Sequence, residues 1–306
     1  MQPLVFAVLA YPGQTDAEAL LLIRSLRAWG GAFSSSPVRV VYPHAAQGFS
    51  PLVADELNRL NAQLLPVKND PAAPRFPFAF KVRAAGIVEE AAHGQANLLV
   101  LLDPDTLIAG DLQPLRLSAG KHLGYRPVHH TLIGSVYSQP LDAYWQLVYR
   151  SCGVPSERVF PMNTCTRDHV IRPYFNAGSL VVQPEAGLLR RWSEAFFRLY
   201  QTADFLDFYA QDRRYAIFTH QTILSGVILS TLSPDALCEL PATVNYPLHL
   251  HDDFPAEERV DSLDDLVTCR YEELSILDAW RQAHPGGEPL AGWLDAQLPE
   301  LLAPRD

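Results

Sequence analysis

The chain has 306 residues, of which 48% are hydrophobic and 19% are charged, and its formal net charge is −10. This composition is typical of a globular protein with a core of ordinary size, and it excludes global disorder. The negative charge argues against a nucleic-acid-binding protein, which must neutralise phosphates with clustered basic side chains. The four cysteines are scattered without a C-x-x-C pair, so we expect isolated thiols in a reducing compartment.

The N-terminal run MQPLVFAVLAYPGQ is apolar, but no basic region precedes it and no small-residue cleavage site follows it. It therefore predicts a first strand and not a signal peptide. No apolar segment approaches the ~20 residues that span a bilayer. We expect no transmembrane segment and a cytoplasmic protein.

The first hundred residues alternate strand and helix patterns. Apolar runs predict strands at 4–9, 38–42, 63–67 and 98–102, and helical spacing predicts helices at 17–29, 52–60 and 78–92. Thr15 and Glu18 form a capping-box pattern at the start of the first helix. Strands separated by such helices indicate an α/β fold with a mostly parallel sheet. Because ligands of these sheets bind beyond the carboxyl ends of the strands, we expect the turns at 11–15 and 103–105 on one edge.

The second half is less regular. We expect few elements between residues 127 and 173, which would form an excursion over the sheet. After it, the patterns predict a strand at 175–182 and helices at 185–200, 220–229 and 290–302. Trp192, Phe196 and Tyr200 share one face of the 185–200 helix, and core packing is the preferred interpretation of that stripe. The last helix could cap the fold or meet a partner subunit, which leaves a homo-oligomer open.

The most informative segment is LLVLLDPDTLIAGDL, residues 98–112. Side chains two apart at a strand end point to the same side, so Asp103 and Asp105 can converge on one divalent cation. Carboxylate oxygens suit Mg²⁺ or Mn²⁺, which would act as a Lewis acid on a diphosphate leaving group. A simple turn, with the carboxylates bonded to backbone amides, is the alternative.

This segment resembles the "LDADTLVLRDL" type of segment in the family-8 glycosyltransferases, the glycogenin and galactinol synthase group. The resemblance spans roughly residues 4 to 275 and depends mostly on the order and spacing of short motifs. Its other pieces are the Tyr11 turn after the first strand, Lys81 before the aspartate strand, Phe175-Asn176-Ala177-Gly178, Gln221, Leu240-Pro241 and Asn245-Tyr246.

The resemblance implies a GT-A type fold with a Rossmann-like, mostly parallel central sheet flanked by helices. It implies one domain over 1–306, with a nucleotide-sugar-binding half at 1–126 and a less regular acceptor-side half at 127–306. The implied activity is transfer of a hexose from a nucleotide-diphosphate sugar, most often UDP, with retention of anomeric configuration. The acceptor, whether saccharide, lipid or small molecule, is not identified by the sequence.

The resemblance also implies roles for single residues. Asp103 and Asp105 would hold Mn²⁺ or Mg²⁺ on the donor diphosphate, and Tyr11 would lie against the base. Lys81 would contact donor hydroxyls or phosphate, Asn176 and Gly178 would line the donor sugar, and Gln221 would lie near the anomeric carbon. Each also has an ordinary structural interpretation: a solvent-directed lysine, a β-bulge at 176–178, or a helix-surface glutamine.

Two departures from the family pattern concern the site. His220 stands where the family has an acidic residue before the glutamine, and it replaces a fixed anion with a group that titrates near neutrality. The family's third metal ligand is a C-terminal histidine, near whose place this chain has Cys269 in LVTCRYEEL. His249 and His251 are alternative ligands because they would share one face of an extended segment.

Two other functions fit the same fold. A non-catalytic protein could keep the donor pocket without turnover. A sugar nucleotidylyltransferase is disfavoured because the loop AYPGQTDAE has one glycine and no basic residue. For the acceptor, the long polar and aromatic region 127–173 is the best candidate. Its candidate contacts are His129, His130, Tyr137, Tyr144, Trp145 and Arg172.

Overall fold

The structure is a computed structural model that describes residues 4–44, 48–68 and 76–303. Its strands are β1 Leu4–Leu9, β2 Val38–Pro43, β3 Ala62–Val67, β4 Leu98–Leu102, β5 Thr106–Ile108, β6 Leu123–Pro127, β7 Met162–Asn163, β8 Val170–Ile171, β9 Phe175–Val182, β10 Leu237–Glu239, β11 Tyr246–Pro247 and β12 Thr268–Arg270. Its α-helices are α1 Asp16–Trp29, α2 Pro51–Arg59, α3 Ala79–Ala92, α4 Ala143–Cys152, α5 Leu188–Leu199, α6 Ala203–Gln211, α7 Arg213–Thr231, α8 Leu274–Ala283 and α9 Leu290–Leu302. The strands and helices predicted in the first hundred residues are confirmed.

Seven strands form one sheet in the order β10-β6-β9-β4-β1-β2-β3. β1 pairs in parallel with β2, and β2 with β3, as expected for βαβ units. β10 also runs parallel to β6, whereas β6 and β9 are antiparallel. A three-stranded sheet, β11-β12-β5, and the β7-β8 pair are separate. The predicted mostly parallel sheet flanked by helices is confirmed.

The chain divides into two compact units, each made of discontinuous segments. The first unit comprises the described residues of Lys68–Val100 and Leu117–Glu239, and the second those of Leu4–Val67, Leu101–Arg116 and Leu240–Asp306. In the first unit α5 and α4 pack on α7, and in the second α1 contacts β5, α2 and α9. The predicted division of one domain at residue 126 stays a prediction.

The start of α1 differs from the predicted capping box. Thr15 makes no side-chain hydrogen bond to the helix, and its Oγ1 accepts instead from the backbone N–H of Tyr11 at 2.8 Å. Oδ1 of Asp16 accepts from the backbone N–H of Gly13 at 2.9 Å. Both side chains therefore stabilise the loop that precedes the helix, as short polar side chains often do. The prediction was wrong, and the consequence is a well-held loop around Tyr11.

The region 127–173 contains α4 and the β7-β8 pair. Asp142 caps α4 by accepting from the backbone N–H of Trp145 at 2.9 Å. Gly153 ends the helix in the left-handed conformation, with φ 67°. Aspartate before a helix and glycine after it are ordinary start and stop signals. Apart from α4, the region holds a 3-10 turn at Ser156–Arg158 and the two-residue strands β7 and β8, in agreement with the expectation of few elements.

Helix α7 is longer than the helix predicted at 220–229, because it begins at Arg213. The helix predicted at 185–200 begins at Leu188, because Pro184–Ala186 form a separate 3-10 turn. Its aromatic stripe, Trp192, Phe196 and Tyr200, is buried as expected. These side chains belong to the core of the first unit.

Two glycines let helices of the first unit approach closely. A Cβ added at Gly86 of α3 would lie 2.8 Å from Cβ of Ser193 on α5. A Cβ added at Gly226 of α7 would lie 2.6 Å from Sγ of Cys152 on α4. These distances are too short for any larger residue, so the helix contacts require glycine.

In the part of the chain that the structure describes, none of the helices combines the length and apolar character needed to cross a membrane.

Candidate functional site

The two aspartates predicted to act together lie in the second unit, in the turn between β4 and β5. Asp103 and Asp105 are each only 8% exposed. Oδ2 of Asp105 accepts a hydrogen bond from Nε of Arg270 at 2.9 Å, and Oδ2 of Asp103 lies 3.9 Å from Nη1 of the same guanidinium. The two carboxylates therefore converge on one cation, as their spacing predicts, but that cation is an arginine side chain.

This cluster shifts the pKa values of Asp105 and Arg270. Burial raises the pKa of Asp105; the charge of Arg270 opposes that shift and the charge of Asp103 adds to it. Burial alone would lower the pKa of Arg270, but the charges of Asp105, Asp103 and Glu272 outweigh it and raise this pKa above its ordinary value. The guanidinium therefore stays protonated at every pH at which a protein folds.

Tyr11 lies in the loop after β1 and is half-buried. Its carbonyl oxygen accepts from the backbone N–H groups of Gln14 and Thr15 at 2.9 and 3.0 Å. Burial, followed by the charge of Asp103, raises the pKa of Tyr11 to about 12. The phenol is therefore near enough to Asp103 for that charge to affect its pKa. The loop at 11–15 and the turn at 103–105 share one edge, as expected from the strand order.

The two histidines proposed as metal ligands lie on a 3-10 helical stretch, Leu248–Asp253, and not on an extended segment. The stretch is kinked at Leu250, whose φ of −115° and ψ of 15° are not helical, and Nε2 of His249 lies 3.7 Å from Oε1 of Glu272. The ring of His251 packs on Trp280 and His284, with centroids 5.4 and 4.6 Å away. The expected shared face was wrong, and His251 is a core residue.

Cys269, the other candidate ligand, is fully buried on β12. Burial raises the pKa of its thiol above the ordinary value. Because side chains alternate along a strand, Arg270 reaches the carboxylates from β12 and Cys269 does not.

The described side chains around the aspartate pair do not form a set of metal ligands. Across residues 4–44, 48–68 and 76–303, no group of three His, Cys, Asp or Glu side chains could hold a metal ion. Mg²⁺ requires near-octahedral oxygen ligands at roughly 2.1 Å, and the guanidinium already binds the carboxylate that would supply one of them. Asp103 and Asp105, as arranged here, do not fit a directly coordinated cation.

The segment predicted to line the donor sugar lies in the first unit, on β9. Pro127 of β6 pairs with Phe175, whereas Tyr125 pairs with Leu180, so residues 176–179 bulge out of the regular ladder. Bulges occur next to active sites, where they re-aim side chains. The bulge that the sequence left open as an alternative is thus present, and it is compatible with a binding role.

Asn176 is buried in this bulge and is held at both ends of its side-chain amide. Oδ1 accepts from the backbone N–H of Gly178 at 2.7 Å, and Nδ2 lies 3.4 Å from Nε2 of His129. The first bond identifies the oxygen, so Nδ2 is the donor towards the histidine. The predicted residues Asn176 and Gly178 are therefore bonded to each other.

Gln221 lies on α7 and is bonded to the same bulge. Its Oε1 accepts from the backbone N–H of Ala177 at 3.0 Å, and its side chain is buried. It is therefore not the helix-surface residue considered as the alternative. Gln221, Asn176 and Gly178 form one group in the first unit, which we call the β9–α7 group.

His220 precedes Gln221 on α7 and is also buried. Its ring stacks on Phe78, with centroids 4.2 Å apart and an interplanar angle of 27°. Nδ1 donates to the carbonyl oxygen of Ile217 at 2.9 Å. Lys81 lies near the same aromatic ring, with Nζ 5.8 Å from the Phe78 centroid, within cation–π range. Lys81 is only 4% exposed, so it is not the solvent-directed lysine considered as the alternative.

Two of the residues proposed for the acceptor are core residues. Tyr144 and Trp145 of α4 are fully buried. The Tyr144 hydroxyl bonds to that of Thr222 at 2.8 Å, and Nε1 of Trp145 donates to the carbonyl oxygen of Ile133 at 2.7 Å. Both polar atoms are satisfied internally, so the prediction of acceptor contact was wrong for these two side chains.

The other acceptor candidates lie closer to the surface. Tyr137 is 39% exposed, and the guanidinium of Arg172 lies 5.7 Å from its ring. Nδ1 of His130 lies 3.0 Å from the Thr166 hydroxyl and 3.9 Å from Oδ2 of Asp168. The guanidinium of Arg172 also donates to Oγ of Ser135 and to the carbonyl oxygens of Val136 and Gln139. The role of these side chains in acceptor binding stays a prediction.

Arg270, beside the aspartates of the second unit, and Phe78, beside His220 in the first, were not indicated by the sequence. Arg270 directly follows Cys269, so attention to the neighbour of the expected ligand position would have found it. Phe78 precedes the helix of Lys81, and its contact with His220 depends on long-range packing that no local pattern encodes.

The α/β fold with its mostly parallel sheet, the aspartate pair after β4 and the FNAG segment on β9 define a GT-A type glycosyltransferase that resembles family 8. Residues 6–228, well over half of the chain, match the family described as Rhodobacterales glycosyltransferase domain. The chain belongs to that family and is a glycosyltransferase. A comparison with curated proteins found no match.

Several solved structures resemble this chain. An active-site mutant of LgtC superimposes with a TM-score of 0.53 at 16% identity, covering 97% of this chain and 95% of that one. The galactosyltransferase LgtC in complex with donor and acceptor sugar analogues gives 0.49 at 15% identity, with 97% and 94% covered. The apo form of mouse xyloside xylosyltransferase 1 gives 0.45 at 14%, with 87% and 96% covered. At these identities the first similarity shows a shared fold and no more.

Proposed function

We propose that this glycosyltransferase takes a hexose from a nucleotide-diphosphate sugar, with UDP-sugars as the first candidates, and transfers it with retention of anomeric configuration. The observation that carries the proposal is the convergence of Asp103 and Asp105 on one cation, with Tyr11 beside them. Ligands of α/β sheets bind at this edge, and a cation there suits a diphosphate leaving group. UDP and retention are supported by the family-8 resemblance alone. The acceptor is a saccharide, lipid or small molecule.

The donor contacts are proposed residue by residue. Tyr11 lies against the base, which its half-exposed ring supports. Lys81 donates to a phosphate or sugar hydroxyl, because its positive charge suits an anionic or polar ligand. Asn176 and Gln221 bind the sugar and the region of the anomeric carbon, since their amides are already fixed in orientation. Fixed donors and acceptors lose little entropy when the substrate binds.

The predicted Mn²⁺ or Mg²⁺ stays a prediction. Arg270 binds the carboxylates that would coordinate it, and so the proposed mechanism assigns no step to a metal. The aspartates instead orient the guanidinium, whose positive charge would face the leaving diphosphate. His249 and His251 have no part in this proposal.

A non-catalytic nucleotide-sugar-binding protein is the second candidate. His220 favours it, because this residue replaces an acidic one of the family and is stacked on Phe78 with Nδ1 bonded to Ile217. An enzyme that needs a fixed anion at this position would be inactive here. The same donor site would then bind a nucleotide sugar without turnover.

The proposal is tested by isothermal titration of UDP, GDP and their sugars into the full chain. We expect one nucleotide diphosphate to bind with a micromolar dissociation constant. Lys81→Gln should weaken it about tenfold or more, because a charge-assisted hydrogen bond contributes about 1.5–3 kcal/mol. Lys121→Gln is the matched control, since Lys121 is a surface lysine bonded to the carbonyl oxygen of Asp235.

The outcomes separate the two candidates. Binding together with release of the nucleotide diphosphate from its sugar supports the glycosyltransferase proposal. Binding without release across many acceptors supports the non-catalytic protein. If neither nucleotide binds, or if both lysine variants behave alike, the donor site is wrongly assigned.

A further inference from the structure

The guanidinium of Arg270 lies at the point on which the aspartate pair converges. Nε is 2.9 Å from Oδ2 of Asp105, Nη1 is 3.9 Å from Oδ2 of Asp103, and Nη2 is 3.3 Å from Oε1 of Glu272. Each nitrogen thus faces a different carboxylate. Only the Nε contact is a hydrogen bond among the described residues. The terminal nitrogens keep N–H groups that can donate to a further acceptor.

The backbone fixes this arginine in place. β12 pairs antiparallel with β5, and Arg270 is opposite Thr106, the residue next to Asp105. The backbone N–H of Tyr271 donates to the carbonyl oxygen of Asp105 at 3.1 Å, which ties the strand to the aspartate turn. Glu272 adopts a φ of 65°, a left-handed conformation that strains a residue with a side chain. This strained turn places a third carboxylate beside the guanidinium.

A directly coordinated divalent cation would have to displace this arginine. The ion pair is largely shielded, since the side chains of Arg270 and Asp105 are only 21% and 12% exposed. Removing one partner of such a pair is costly because the other charge is left buried. Cys269 alternates with Arg270 on β12, and Nδ1 of His251 bonds to the Tyr246 hydroxyl at 3.0 Å, so neither candidate ligand faces the aspartate pair. Nε2 of His249 lies 3.7 Å from Oε1 of Glu272, the oxygen that also faces Nη2 of Arg270. The site therefore holds its own cation.

We propose that Arg270 takes the place of the divalent cation in this enzyme, so that the nucleotide diphosphate binds to a protein guanidinium and needs no metal. The proposal rests on the proposed function for its ligand class. A planar guanidinium suits phosphate oxygens, because its N–H groups form a fork that matches them. The aspartates and Glu272 hold the fork and keep its charge. These three carboxylates also compete with the phosphates for the guanidinium. Neutralising a carboxylate should therefore strengthen nucleotide binding.

The test uses the full chain, with UDP and GDP titrated in EDTA and again in Mn²⁺, and Mn²⁺ titrated alone. Arg270→Gln removes the charge with little change in length, and Arg270→Lys keeps the charge without the fork. Arg281→Gln is the matched control, because Arg281 has 19% side-chain exposure and also pairs with two aspartates, Asp278 and Asp295.

For the wild type we expect a nucleotide affinity in EDTA that Mn²⁺ changes less than threefold. Arg270→Gln should lose at least tenfold in EDTA, Arg270→Lys should recover part of that loss, and Arg281→Gln should match the wild type. Mn²⁺ alone should bind Arg270→Gln at least tenfold more tightly than the wild type, because the carboxylates are released. That gain would also show that the variant is folded.

Three results would overturn the inference. Nucleotide binding that requires Mn²⁺ in the wild type would mean that the arginine yields to the metal. Equal Mn²⁺ affinity in the wild type and Arg270→Gln would mean that the guanidinium does not occupy the cation position, whatever the nucleotides do. If Arg270→Gln binds the nucleotide in EDTA as tightly as the wild type, the diphosphate does not contact the arginine. Absence of nucleotide binding in every protein would instead contradict the proposed function, and the Mn²⁺ titration would still decide whether Arg270 occupies the site.

Discussion

Replacing Asp105 by asparagine should affect stability and ligand binding in opposite directions. The change keeps the shape of the side chain and removes the charge that binds Nε of Arg270 at 2.9 Å. Loss of one partner from a buried ion pair costs about 3–5 kcal/mol. Here both side chains retain some exposure, and Arg270 keeps Glu272 at 3.3 Å and Asp103 at 3.9 Å. We therefore expect a loss of only about 1–2 kcal/mol in the free energy of unfolding.

Urea unfolding followed by circular dichroism measures this loss as a lower midpoint with an unchanged slope. Asp278→Asn is the control, since its carboxylate pairs with Arg281 at 2.8 Å with more exposure, 27%. Such surface pairs contribute about 0–1 kcal/mol. In EDTA, the affinity of Asp105→Asn for the nucleotide diphosphate should stay the same or rise, because a negative charge leaves the site. A stability change below about 0.5 kcal/mol, or a loss of affinity in EDTA, would refute the reasoning.

Three further predictions test the β9–α7 group, the helix packing and the pH response. Gln221→Ala should lower the free energy of unfolding by about 1–3 kcal/mol, because the buried N–H of Ala177 loses its acceptor, and chemical denaturation measures it. Gly226→Val should cost about 3 kcal/mol by the same assay, since its Cβ would lie 2.6 Å from Sγ of Cys152, whereas Gly48→Ala, where the nearest atom is 3.9 Å away, should cost under about 1 kcal/mol. Burial lowers the pKa of His251, so the unfolded state binds more protons and stability should fall as pH drops below about 6.5. His251→Phe should reduce that fall in unfolding midpoints measured between pH 7.5 and 5.5, and an equal fall in both proteins would contradict it.

Local patterns were sufficient for the first half of the fold. Continuous apolar runs such as Leu98–Leu102 identify strands covered on both faces, and their bounds match the structure. The alternation of strands and helices led to the parallel sheet, and the position of the aspartates after β4 followed from it. The order of short motifs then identified the glycosyltransferase class, which the family match confirms.

The errors arose where side chains serve contacts outside their own segment. Thr15 has the sequence context of a helix cap, but it bonds to Tyr11 in the preceding loop. Tyr144 and Trp145 have the composition of a ligand surface, but they pack in the core of the first unit. His249 and His251 alternate in sequence, and a 3-10 turn separates them in space. Local periodicity cannot show which of two partners a polar or aromatic side chain will contact.

Arg270 shows the same limit at the site itself. Its two aspartate partners are separated from it by more than 160 residues, and the pairing of β12 with β5 brings them together. The sequence gives the correct pair of carboxylates and leads to a divalent cation as their ligand. The strand register brings an arginine to that pair, which the sequence did not indicate. The order of motifs along the chain does not show this long-range contact, so the sequence could not predict that an arginine lies beside the aspartates.

The most direct test of the central claim incubates the full chain with a panel of nucleotide sugars. Chromatography then measures the nucleotide diphosphate that is released. We predict that one donor, first among the UDP-sugars, is consumed, that added acceptors accelerate its consumption, and that Gln221→Ala slows it at least tenfold while donor binding persists. If no nucleotide sugar is either bound or consumed, with EDTA or with Mn²⁺, the chain does not use a nucleotide-sugar donor and the account is contradicted.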